Sequence, residues 1–123
     1  MRAFVALLVL TALLLASAGG YANSKDGPRR WTRTVKKNSE VVYKVVFVAD
    51  ASQERKFAEF AVIGDGGTDI DLEVFDQAGK LVAKDVFFSD LALVRWVPAA
   101  TQEFTIKVKN LGSEDNVCIM GHN

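Results

Sequence analysis

Seven carboxylates lie between Asp65 and Asp90, namely Asp65, Asp69, Asp71, Glu73, Asp76, Asp85 and Asp90, and only Lys80 and Lys84 oppose them there. Carboxylates at that density suit a hard cation that takes about six to eight oxygen ligands. Asp69 and Asp71 stand two residues apart, so on an extended strand their Cα atoms lie about 6.6 Å apart on one face. Asp65 and the Gly66–Gly67 backbone are near enough in sequence to complete a shell. Asp65, Asp69 and Asp71 are therefore the candidate calcium ligands. The plainer alternative is a solvated strand face whose aspartates accept turn N–H groups.

Cys118, Met120 and His122 are residue types that bind copper or zinc and can share a strand face. Four residues of extended chain separate Cys118 from His122 by about 13 Å, which rules out shared coordination through bonds of about 2 Å. The same separation excludes a Cys–His nucleophilic pair. The chain has one histidine, whereas a blue-copper site takes two. That histidine is penultimate, at an end expected to fray, with Cys118 expected half-buried. Paired carboxylates can hydrolyse glycosides, but here they line a strand rather than a cleft. Gly64 to Gly67 lacks the lysine and the following helix of a phosphate loop. No catalytic residues and no required cofactor are expected; calcium is the one candidate.

A second cluster is basic. Lys25, Arg29, Arg30, Arg33, Lys36 and Lys37 face only Asp26. Residues 23–40 read as a basic leader with room for an edge strand, anchored by Trp31 and Val35. Arg29, Arg30, Arg33 and Trp31 are the candidate binding residues, suited to an anionic surface; the alternative is a solvated leader. Trp31 either covers a sheet edge or stacks on a sugar ring. Trp96, in phase with Val94, is expected in the core.

The elements that must position these groups follow a signal sequence. Met1-Arg2, an apolar run from Ala3 to Ala16 and the small residues Ala16-Ser17-Ala18 have the pattern of a cleaved leader. Cleavage is expected between Ala18 and Asn23, so residues 1–22 are counted as signal. The apolar stretch of about 14 to 16 residues is short of the roughly 20 needed to cross a bilayer, so no membrane span is expected after cleavage. The 123-residue chain carries 15 basic and 15 acidic residues; without Arg2 the balance is 14 to 15. Such a balance gives no case for nucleic acid as a partner. One cysteine allows no internal disulfide.

From Val41 onward the chain reads as short strands separated by turns. Val41 to Ala49 is dense enough in apolar residues to suggest burial on both faces. Ile70, Leu72 and Val74 alternate with Asp69, Asp71 and Glu73, and Asp76 to Gly79 makes a hairpin with Gly79 in the left-handed region. Pro98 ends a strand from Ala92, Phe104, Ile106 and Val108 point inward, and Asn116 to His122 closes the chain. Seven or eight such strands in residues 41–123 predict an all-β, antiparallel β-sandwich of jelly-roll type. Its expected core is Phe60, Val62, Ile70, Leu72, Val74, Val94, Trp96, Phe104, Ile106 and Val108.

The run Gly64-Asp65-Gly66-Gly67-Thr68-Asp69-Ile70-Asp71-Leu72-Glu73-Val74-Phe75-Asp76, followed by Gly79-Lys80-Leu81-Val82-Ala83, resembles the bacterial pre-peptidase C-terminal domain family. Trp96-Val97-Pro98 and Phe104 to Asn110 resemble that family's later strands. The resemblance implies a secreted jelly-roll-like sandwich, usually appended to a hydrolase, that assists secretion or binds polysaccharide or protein; some relatives bind calcium. No catalytic domain accompanies it here. The expectation is thus a non-catalytic secreted or periplasmic binding or accessory module for a polysaccharide or protein surface. A structural component of the cell envelope is the alternative, and a small hydrolase ranks last.

Overall fold

The computed structural model describes residues 24–49, 57–66, 68–87 and 89–123. The expected signal segment, the whole polar turn from Asp50 to Arg55 and the backbone of Gly67 lie outside the described residues. Eight strands run in order: β1 Arg29–Val35, β2 Ser39–Phe47, β3 Ala58–Ile63, β4 Ile70–Phe75, β5 Leu81–Asp85, β6 Leu91–Trp96, β7 Gln102–Asn110 and β8 Asn116–His122. No helix occurs among the described residues.

The strands form two four-stranded antiparallel sheets, ordered β1-β8-β3-β6 and β2-β7-β4-β5. From β1 to β4 successive strands alternate between the two sheets, as they do again from β5 to β8, in keeping with the jelly-roll type expected from the sequence. The hairpin between β4 and β5 stays within one sheet. Its turn is closed by the Gly79 N–H donating to the Asp76 carbonyl at 3.0 Å, with Gly79 at φ 87°. A side chain at that φ is disfavoured, which is why glycine stands there.

The core lies between the sheets, and period-two alternation fills it from both sides. All ten residues expected at its centre are buried, joined by Val35, Phe47, Ala58, Ala92, Cys118 and Met120. Phe47, Phe104 and Trp96 form one aromatic cluster, with ring centroids 5.1 to 6.1 Å apart. Truncating Phe60 or Phe104 to alanine would cost about 3–5 kcal/mol through lost contact and the cavity left behind.

Position in the sheet, rather than composition, decides which strand is buried on both faces. Val41 to Ala49 suggested a two-sided strand, but β2 is an edge, and its outward residues Val42 and Lys44 are exposed. The two-sided strand is β3, held between β8 and β6, with all six residues buried. Its outward Glu59 pairs with Arg95 of β6.

β1 belongs to the sandwich: it pairs in full register with β8, from Arg29 opposite His122 to Val35 opposite Asn116. Val35 is fully buried and Trp31 packs against the core, as anchors should. Ser24 then bridges to Phe47 of β2, so the chain crosses from one sheet to the other just ahead of β1.

Candidate binding surface

β8 spans the sandwich from one end to the other, with the candidate carboxylates near its Asn116 end and the candidate arginines along its neighbour β1, beginning at the His122 end. At the Asn116 end the carboxylates expected to bind calcium meet the loops. Asn116 is fully buried because it bonds in several directions. Its amide nitrogen donates to Asp90 Oδ1 at 2.9 Å and to the Thr68 hydroxyl, and its carbonyl oxygen accepts the Asp65 N–H at 2.8 Å. One side chain thereby ties the β3–β4 and β5–β6 loops to the start of β8. Gly64 is required beside it, since a methyl there would meet Asp90 and Asn116.

The aspartates are engaged in the same way. Asp65 Oδ2 accepts the Val117 N–H at 2.9 Å, and Asp69 Oδ1 accepts the Ser89 N–H at 3.3 Å. Asp85 accepts the Leu93 N–H at 3.0 Å and so satisfies a backbone donor of the β6 edge. Asp71 lies on the outer face of β4 opposite Lys109, and one of its carboxylate oxygens is buried without a hydrogen bond. Burial, then the charges of Asp69 and Glu73, hold its pKa above the ordinary 3.8. Lys109 instead pairs with Glu73 at 2.7 Å. Asp65 and Asp69 are thus drawn to different backbone donors. No three acidic, histidine or cysteine side chains among the described residues are grouped so as to hold a metal ion.

The Cys118, Met120 and His122 side chains do share the inward face of β8, and all three are buried. Cys118 is fully buried, not half-buried, and burial pushes its thiol up to about 12. A thiol that stays protonated is a poor nucleophile and metal ligand, and its position excludes a cross-link between exposed surfaces. His122 is not at a frayed end. Its ring stacks on Phe60 and meets Trp31 and Phe47 edge-on, while Nδ1 lies 2.9 Å from the Asn123 carbonyl oxygen. Asn123 is tied in turn: Oδ1 accepts the Glu59 N–H, Nδ2 donates to the Phe57 carbonyl, and its own carbonyl accepts the Ser24 N–H. Sequence reasoning missed this because proximity to a terminus says nothing about which side-chain amides tie it down.

The basic residues run along β1, from Arg29 opposite His122 to Arg33 opposite Cys118, while Lys36 and Lys37 lie past Val35 at the Asn116 end. Trp31 and Tyr43 project from the facing edges β1 and β2 and close the β1–β2 side of the sandwich, with the indole N–H donating to the Tyr43 hydroxyl at 3.1 Å. The guanidinium of Arg29 lies over the Trp31 ring at 5.6 Å and that of Arg33 over Tyr43 at 5.8 Å. Trp31 therefore covers a sheet edge, the first of its two expected roles, and Arg29 occupies the ring face that a sugar would need. Arg30, two positions before Thr32, points to the outer face of β1. None of these three arginines has an ion-pair partner among the described residues.

Beside Arg29 a cavity of about 430 Å³ opens between the turn at Ser24–Pro28 and Lys44–Val46 of β2, with His122 in its lining. Sequence reasoning did not find it: Lys44 and Lys25 lie nineteen residues apart in sequence and meet only through the bridge from Ser24 to Phe47. A wider, open depression of about 540 Å³ lies at the other end, by Asn38–Glu40 and Lys109–Leu111. Its one cation, Lys109, is already paired to Glu73.

No protein-family model matches the chain, and no curated protein matches it in sequence. Solved structures do resemble it in shape. A periplasmic inhibitor of g-type lysozyme, PliG of Aeromonas hydrophila, superposes with a TM-score of 0.55 at 10% identity, over 86% of this chain and 88% of that one. The Yersinia pseudotuberculosis-derived mitogen gives 0.54 at 13% identity, over 79% and 85%. Both likenesses support the β-sandwich fold and stop there. No helix among the described residues is long and apolar enough to cross a membrane.

Proposed function

We propose that this chain is a non-catalytic, exported binding module that engages a protein surface through the β1 edge. The observation that carries the reading is the edge itself: Arg29, Arg30 and Arg33 stand on a strand with one neighbour, unpaired among the described residues, around a Trp31 already fixed by Tyr43. Pre-ordered cations attract an acidic partner and lose little freedom on contact. An unpaired strand edge also offers backbone groups to a partner strand. The same arginines keep two copies from pairing edge to edge.

A protein target is favoured over a polysaccharide because the indole of Trp31 is packed edge-on by three rings and covered by Arg29. Trp31, the aromatic of the β1 edge, is therefore not a free stacking platform. The printed role of the Aeromonas protein, inhibition of a lysozyme in the periplasm, agrees with a periplasmic or secreted module whose target is a protein. Kinship with the pre-peptidase C-terminal family, suggested by Gly64 to Ala83, agrees with an exported accessory domain.

The test is retention by the immobilised mature chain of proteins from a cell-envelope fraction, run beside retention on insoluble polysaccharides. Protein retention that weakens about tenfold when salt is raised from 50 to roughly 300 mM, and that is lost in the combined Arg29→Ala, Arg30→Ala, Arg33→Ala variant, is the expected result. Retention on polysaccharide alone, or capture unchanged in that variant, would overturn the reading.

A further inference from the structure

The cavity beside Arg29 is bounded by a turn that the chain holds firmly. The Ser24 hydroxyl donates to the Gly27 carbonyl at 2.6 Å, the Gly27 N–H donates back to the Ser24 carbonyl at 3.1 Å, and the Lys25 N–H donates to Val46 at 2.7 Å. Gly27 sits at φ 86°, where a side chain would be strained. The cavity is therefore built into the fold rather than opened by a loose terminus.

Its charges are one-sided. Lys25, Arg29 and Lys44 line it against Asp26 alone, and none of the three cations has an ion-pair partner among the described residues. Like charges gathered around a cavity repel one another, and an anion seated between them relieves that repulsion. His122 adds a ring nitrogen to a wall whose apolar part is Pro28, Val45 and Val46. With Nδ1 at the Asn123 carbonyl, Nε2 is the ring nitrogen left without a hydrogen bond among the described residues. A volume of about 430 Å³ holds a carboxylate together with the methylenes that carry it.

We propose that this cavity is an oxyanion pocket that receives a carboxylate presented by the protein partner, with Lys25, Arg29 and Lys44 around the anion and His122 in the wall. The proposal rests on the reading of the β1 edge as the binding surface, because Arg29 belongs to both. The pocket is where the edge gains specificity: a flat row of arginines accepts any acidic surface, whereas a cavity admits one protruding acidic side chain.

The test uses the mature chain and nuclear magnetic resonance, since the single histidine gives one set of ring signals. Succinate is titrated at constant ionic strength beside succinamide, which has the same shape without charge, and beside inorganic phosphate. Succinate is expected to move the His122 ring signals and the amides of Lys25 to Arg29 to saturation at millimolar concentration, while succinamide leaves them in place. Lys44→Ala and Lys25→Ala, both on exposed side chains, are each expected to weaken succinate by about fivefold with melting unchanged.

No movement with either anion overturns the proposal. Phosphate saturating at a tenfold lower concentration than succinate overturns the carboxylate assignment. Failure of the pocket is separable from failure of the edge. If Lys44→Ala captures partner as the native chain does while Arg30→Ala and Arg33→Ala do not, the edge stands and the pocket is wrong.

Discussion

β8 begins at Asn116 and ends at His122, and the two ends of that one strand sit in opposite chemistry. At the first, carboxylates are plentiful and each loop aspartate has an oxygen on a donor: Asp65 takes Val117, Asp69 takes Ser89, Asp90 takes Asn116. At the second, Lys25, Arg29 and Lys44 surround a cavity with no ion-pair partner among the described residues. A dense run of charges in a sequence therefore has two different meanings. Where the backbone supplies partners, the charges are part of the loop architecture. Where it does not, they are available to another molecule.

The largest effect is expected at the closed end. Asn116→Ala removes the side chain that joins Asp65, Thr68 and Asp90, leaving buried groups without partners. It should cost about 3 kcal/mol and lower the melting midpoint by roughly 10–20 °C, with partner capture unchanged per folded molecule. A melt within about 2 °C of the native chain would mean that the closed end is not held as described.

A smaller effect is expected at the open end and depends on pH. Burial chiefly, with the Arg29 charge acting the same way, holds the His122 pKa below the ordinary 6.5, and its bond to Asn123 only partly opposes this. The unfolded chain then binds the proton more readily than the folded one. Stability is full above about pH 6.5 and is lost as pH falls through that value toward the folded pKa. Asp71, whose pKa is raised, works in the opposite sense but in the carboxylate range. Midpoints should therefore fall between about pH 7.5 and pH 5, and a flat profile would contradict the burial of a neutral imidazole.

The smallest effect is expected from calcium. Asp65 and Asp69 are already occupied by N–H groups, so millimolar calcium after chelator should move the midpoint by less than about 2 °C. A site filled to 100 times its Kd would add about 2.7 kcal/mol and raise the midpoint by roughly 10 °C. A rise of that size would restore Asp65, Asp69 and Asp71 as ligands and move binding to the acidic end.

The sandwich and its core were legible because alternation over Ile70 to Val74 and Phe104 to Val108 carries the period of a one-sided strand directly. Val35 and Trp31 were legible as anchors for the same reason. What the sequence hid depends on contacts distant along the chain. Asn116 looked like a strand start, and its role exists only because three loops converge on it. His122 looked loose because its neighbours Trp31, Phe47 and Phe60 come from three other strands. The pocket needs a turn at Ser24–Gly27 to fold against β2, a pairing no local pattern announces. Val42 misled because edge position cannot be read from composition.

The most direct test of the account is hydrogen–deuterium exchange of the chain alone and in complex with a protein that it retains in the capture experiment. The account predicts slowed exchange over Ser24 to Val35 and Lys44 to Val46, with the loops at Gly64–Gly66 and Ser89–Asp90 unaltered. Protection at those loops and at Leu111 to Val117, with the β1 edge unchanged, would contradict it.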